Sequence, residues 1–156
     1  TGLSGIQFHQ LAVFDDPDRD ERGWVISMAH TAAVPFAALP EDAVLMRVID
    51  GKPEQSLAFD HDDMVRLAVD DLRDRYTQQV DPARFLGESF TVLELRQLYE
   101  VIFGRELQKD SFRRHFIGAL ASTGETSNPG NGRPAEVFRR AGDGRLPAQA
   151  AVLLTG

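Results

Sequence analysis

Two groups of residues in this 156-residue chain have side chains suited to holding anions. The first is KDSFRRHF, Lys109 to Phe116, in which one lysine, two arginines and one histidine surround two phenylalanines although the formal net charge of the chain is -7. A guanidinium offers a planar fork of donors that matches a phosphate or a guanine edge, and an ammonium offers a compact point charge. At about 100° per residue, Phe112, Phe116, Ala119 and Leu120 fall on one helical stripe, while Ser111, Arg113, Arg114 and Gly118 point elsewhere. The aromatics then pack and the arginines are displayed, a pattern that also suits an ordinary surface helix. The second group is DDPDRDERG, residues 15–23, where Arg19 and Arg22 stand among aspartates. Asp16, Asp18 and Asp20 occupy the first, third and fifth positions of an EF-hand loop, but Glu21 replaces its turn glycine and Ser27 its bidentate glutamate. Two readings stay open: a solvated turn whose carboxylates cap neighbouring N–H groups, and a binding loop in which both arginines address a phosphate.

Other chemistries find no residues to carry them. Without cysteine there is no disulfide framework, no thiolate nucleophile and no cysteine-based zinc site. His9, His30, His61 and His115 are not spaced as a metal triad, and no nucleophile elbow, P-loop or G-x-G-x-x-G occurs. No catalytic residue and no metal ligand is therefore assigned. No apolar run approaches the roughly 18 residues of a membrane span, and TGLSGIQFHQ has neither the basic start nor the apolar core of a signal peptide, so a cytoplasmic, membrane-free protein is expected.

The elements that must position these groups are readable from pattern. With 42% hydrophobic and 26% charged residues the chain is ordinary globular material. Residues 1–89 carry 8 Lys/Arg against 17 Asp/Glu, whereas residues 90–141 carry 8 against 6. An acidic body repels a polyanion over a Debye length of about 8 Å, so nucleic-acid contact is expected in the second half alone. Two modules follow, 1–80 and 81–141, with 142–156 as a C-terminal tail. In the first, GIQFHQLAVF, WVISMAHTAAV and AVLMRVI are predicted as buried strands, followed by a helix through Met64, Leu67, Leu72 and Tyr76 with Asp60 as its cap. In the second, Thr91 and Glu94 form a capping box, Leu95, Leu98, Tyr99 and Ile102 one apolar face, and Gly104 a stop. The turn RELQ leads into the cationic helix, which is predicted to end at Gly124. A polar loop, an Asn-Pro-Gly-Asn-Gly hairpin signal and the strand PAEVFRR come next. Helix, turn, helix and hairpin is the order of a winged helix-turn-helix, whose second helix enters the major groove. Lys109, Ser111, Arg113 and Arg114 would then read or clamp DNA, and Arg133 at the hairpin tip would reach phosphate or the minor groove.

The segments FDDPDRDERGWVISMAH, LAFDHDDMV, FTVLELRQLYEVIFGRELQKDSFRRHF and GNGRPAEVFRR, in that order, closely resemble the Nudix-related transcriptional regulators of NAD metabolism, the NrtR family. The resemblance spans roughly residues 1–140. It implies an α+β chain: the C-terminal part of a Nudix-like α/β/α sandwich followed by a winged helix-turn-helix. It further implies a sensor of an ADP-ribose-like nucleotide, whose motif His61 matches, and a homodimer on a double-stranded DNA operator; Arg19 and Arg22 of the acidic loop would then lie near the nucleotide's phosphates. Of the Nudix box G-x5-E-x7-R-E-U-x-E-E-x-G-U only the closing pair is matched, by Gly2 and Leu3. The chain is thus expected to be truncated within the box, to hold no cofactor and to lack hydrolysis. A longer parent could bind Mg²⁺ and act as a Nudix pyrophosphohydrolase, which is the alternative reading of the fragment. Trp24 stands where many relatives have a basic residue.

Overall fold

A computed structural model describes residues 6–127 and 134–155. The chain divides into two compact units, Thr1–Leu72 and Arg73–Gly156, and the division falls inside a helix rather than near residue 80.

In the first unit, β1 (His9–Phe14) and β2 (Ser27–Thr31) pair antiparallel, with an irregular register between Gln10 and Ala12. A short hairpin, β3 (Val48–Ile49) and β4 (Lys52–Pro53), precedes α1 (His61–Gln78), which runs past the unit's end. The expectation of buried strands is corrected here. Among β1 and β2 residues only Ala29 is buried, while Val13 and Met28 are exposed. A two-stranded ribbon covers neither of its own faces. Trp24 to Ile26 lies outside β2, and of AVLMRVI only Val48 and Ile49 are strand, with Val44 fully exposed. Asp60 does precede α1, and its carbonyl accepts from Asp63 N–H and Met64 N–H. Its carboxylate, however, is taken by Arg19, and it is Asp62 that reaches back to Leu57 N–H at 2.8 Å.

The second unit is built around aromatic rings. The short β5 (Phe90–Thr91) leads into α2 (Val92–Phe103), whose capping box forms as the sequence requires: Thr91 Oγ1 accepts from Glu94 N–H and Glu94 accepts from Thr91 N–H. Gly104 closes the helix at φ 65°, a left-handed position that glycine takes without a Cβ penalty. After the turn, α3 (Lys109–Phe116) is followed by a 3-10 turn and by β6 (Leu120–Ser127) and β7 (Ala135–Arg140). The sheet order is β5-β7-β6, all antiparallel. Residues 120–124, predicted as helix, thus lie in β6, because pairing with β7 fixes a segment with no apolar period of its own. The segment predicted as a tail folds as α4 (Ala148–Thr155), burying Ala150 and Leu154.

Tyr99 is the centre of this unit. Its ring meets Phe116 edge-on at 4.8 Å, Phe112 at 5.7 Å and Tyr76 at 5.3 Å, and Phe112 stacks on Phe116 at 4.0 Å. All four rings are fully buried. Truncating one such phenylalanine to alanine costs about 3–5 kcal/mol. Tyr76 Oη donates to Asp81 at 2.6 Å and Tyr99 Oη to the carbonyl of Gln79 at 2.9 Å. Burial raises both phenol pKa values, so both stay protonated donors. The fully buried Asp81 also accepts from Phe85 N–H, Leu86 N–H and Arg140, the set of partners a buried carboxylate requires.

Candidate nucleic-acid interface

The cationic helix is held at both ends of its turn. Glu100 Oε1 accepts from Leu107 N–H at 2.8 Å and from Arg96 Nη1 at 2.9 Å, and the same Arg96 nitrogen donates to the Leu107 carbonyl at 2.9 Å. This staple ties α2 to the entry of α3. Gln108 then caps α3, its side-chain oxygen accepting from Ser111 N–H. With Phe112 and Phe116 sunk against Tyr99, the helix has one rotational setting. Lys109, Arg113 and Arg114 face outward in it.

A groove of about 420 Å³ runs along this face, lined by Val92, Leu93 and Arg96 of α2, Lys109 and Arg113 of α3, and Glu136 of β7. Among the described residues its walls carry three cations and one carboxylate. The structure therefore brings Lys109 and Arg113 together, while Arg114, the next helical residue, is exposed but does not line the groove. Ser111 is half-buried, its N–H engaged by Gln108 and its carbonyl meeting His115 Nδ1 at 2.7 Å. Arg133 lies outside the described residues. Arg113 is itself placed: its guanidinium lies 5.9 Å from the Phe138 ring centroid and 3.9 Å from Glu136. Of the two arginines that end β7, Arg139 is exposed, but Arg140 is structural, bonded to Asp81 and to the carbonyls of Val80 and Gly87. Sequence reading missed Arg96 and Glu136. The first shows only as an i,i+4 partner of Glu100, and nothing along the chain announces that a strand some twenty residues on will supply the groove's carboxylate.

In the first unit the two candidate ligand arginines separate. Arg19 has a buried side chain and is fully engaged: Nε and Nη2 donate to the two oxygens of Asp60, each at 2.7 Å, and Nη1 to Ser27 Oγ at 2.9 Å. That bond raises the Arg19 pKa and lowers that of Asp60. Arg19 thus ties the loop to Asp60, the residue before α1. The carboxylates of Asp16 and Asp20 accept from Asp18 N–H and Arg22 N–H, which is the capped-turn reading. Arg22 is different. Its side chain is 78% exposed; Asp20 holds one edge, and the guanidinium sits 5.7 Å from the centroid of Phe59. Phe59 is exposed at a left-handed φ of 58°, and the exposed His61 meets it edge-on at 6.0 Å. Arg22, Phe59 and His61 thus form one surface cluster, whose aromatic member the sequence reading did not single out.

Residues 82–140 match the model of the NrtR DNA-binding winged helix domain. The chain is 29% identical over 146 residues to the ADPR responsive transcriptional repressor NtrR of Acinetobacter baylyi, covering 89% of this chain but 58% of the relative's length. Among solved structures it resembles NrtR of Shewanella oneidensis, with 30% identity, 88% of this chain and 67% of that one covered, and a TM-score of 0.64. The same Shewanella protein complexed with a 27mer DNA matches at 27% identity and TM-score 0.64, covering 94% and 67%. A MutT/nudix family protein of Enterococcus faecalis, 20% identical with TM-score 0.60 over 86% and 62%, shares the fold.

Proposed function

The chain belongs to the NrtR family, and from that premise we propose that it is a DNA-binding transcriptional regulator whose first unit senses an ADP-ribose-type nucleotide. The observation that carries the reading is α3: its aromatic side is locked by Tyr99 while Lys109 and Arg113 border an open groove and Arg114 is displayed. In a winged helix the second helix enters the major groove, where a bidentate arginine reads the two acceptors of guanine and lysine serves phosphate. The complex of the Shewanella relative with a 27mer DNA supports DNA as the partner, and the ADPR response of the Acinetobacter relative supports the nucleotide class. Arg22 and His61, flanking Phe59, are the nucleotide contacts in this reading, and a homodimer places two α3 helices about 34 Å apart on a near-palindromic operator.

Binding-site selection from a random duplex library tests it. The expected result is an enriched, near-palindromic motif, with Arg113→Ala relaxing preference at one base pair and Lys109→Ala weakening all sequences alike. No enriched motif, together with unchanged affinity in Arg113→Ala and Arg114→Ala, would reduce the cations to a solvated helix face.

A further inference from the structure

The groove beside α3 contains a residue that a DNA-binding surface should disfavour. Glu136 is the one carboxylate among its described lining residues, and phosphate repels it. It is also held in place. Ser122 Oγ, from the neighbouring strand, donates to Glu136 Oε1 at 2.7 Å, leaving Oε2 turned to Arg113 Nη2 at 3.9 Å. Arg113 is in turn braced by the Phe138 ring two residues further along β7. Strand periodicity puts Glu136 and Phe138 on the same side of β7, so one strand supplies both contacts to the guanidinium. The side chains of Arg113 and Glu136 are 49% and 46% exposed, which makes their attraction weak enough to be exchanged for a better partner.

We propose that Glu136 is a specificity-determining residue of the DNA interface, which rests on the DNA-binding reading above: it orients Arg113 and cancels its charge until a matching base edge replaces it. A phosphate oxygen offers Arg113 one more anion at the expense of keeping Glu136 close to the backbone. A guanine edge offers two acceptors in the plane of the guanidinium fork. The carboxylate therefore penalises the sequence-independent mode more than the base-reading mode. Specificity arises here by weakening the wrong complex.

The test uses the whole chain and two duplexes of equal length, the selected motif and a scramble of it, titrated over a range of salt. Glu136→Gln keeps an oxygen for Ser122 and removes the charge. It is expected to tighten binding to the scramble by about two- to fivefold, the range of a half-exposed ion pair. The selected motif should tighten less, so that the ratio of the two affinities falls. The salt slope on the scramble should steepen by about one unit, a shift that a merely structural strand residue would not produce. Ser122→Ala frees the carboxylate without removing it, and is expected to lower the ratio while leaving the slope unchanged. An unchanged ratio and slope in Glu136→Gln would overturn the proposal, as would loss of binding to both duplexes in equal measure. If the unaltered chain binds neither duplex in a salt-dependent way, the DNA-binding reading fails and this proposal falls with it.

Discussion

Arg19 and Arg22 stand three residues apart on one acidic loop and do opposite work, because one meets a carboxylate from a distant part of the chain and the other meets its own turn. Removing Arg19 strands Asp60 without its partner, so Arg19→Ala is expected to lower the melting temperature clearly. Arg22→Ala should lower melting less, because the buried Asp20 keeps the backbone N–H of residue 22 as a donor, and should weaken binding of an ADP-ribose-like nucleotide by about tenfold, the loss of one charge-assisted hydrogen bond. Calorimetric titration beside thermal melting separates the two; equal affinity in Arg22→Ala and the unaltered chain would leave the loop as a capped turn only. The same ion pairs carry a pH signature. The hydrogen bond from Arg22 holds the Asp20 carboxyl below the usual carboxylate range, at about 2, and Arg19 lowers that of Asp60. A group whose folded pKa is depressed stabilises the fold fully above its unfolded value, about 4 for aspartate, and loses that contribution as pH falls through the folded one. Melting temperature should thus drop as pH falls from about 4 to 2, and Asp20→Asn should flatten the drop. A profile as steep in Asp20→Asn as in the unaltered chain would show that other carboxylates govern it.

At the scale of elements, the staple between α2 and α3 decides how the cationic helix is presented. Glu100→Ala leaves the N–H of the buried Leu107 without its acceptor, at a cost of about 1–3 kcal/mol, and frees Arg96 from its i,i+4 partner. Glu100→Gln retains an acceptor for that N–H. We expect Glu100→Ala to lower melting and DNA affinity together with the base preference unaltered, and Glu100→Gln to recover most of both. A changed preference in Glu100→Ala would mean that Glu100 acts in readout instead. The elements that sequence reading got right share one property: their signals are local. Thr91 with Glu94, Gly104, and the stripe of Phe112 and Phe116 each fix a boundary or a face within a few residues, and α2 and α3 follow from them. The elements it misjudged depend on partners far along the chain. LASTGETS has no strand pattern and becomes β6 only by pairing with β7, α4 has no polar face to mark it as amphipathic, and the apolar runs over 24–34 and 43–49 do not distinguish paired strand from uncovered extended chain. The site divides the same way. Lys109 and Arg113 are legible because they ride on a locally specified helix, whereas the fates of Arg19 and Arg140 rest on Asp60 and Asp81, 41 and 59 residues away.

For the whole molecule, the uneven charge and the two units frame one question, whether the nucleotide and the operator are felt by the same equilibrium. Among the described residues no helix is long and apolar enough to cross a membrane, and the chain spans 58% of the length of its Acinetobacter relative. If both bind, linkage is strict: whatever factor the nucleotide applies to DNA affinity, DNA must apply to nucleotide affinity. A regulator needs that factor to differ from one, and a coupling of about 1–3 kcal/mol, or about five- to 150-fold, is the usual range. We therefore expect an ADP-ribose-like nucleotide to shift operator affinity by at least about fivefold, and saturating operator to shift nucleotide affinity by the same factor and in the same direction. An electrostatic coupling is as reciprocal as any other, but it acts through a field that salt screens over about 8 Å. Measuring both titrations at two salt concentrations thus separates a conformational coupling, which persists, from a field effect, which fades. If the nucleotide binds but with one affinity whether or not operator is present, the two units act independently and the sensing half of the proposed function is lost, while the DNA-binding half stands on its own measurements.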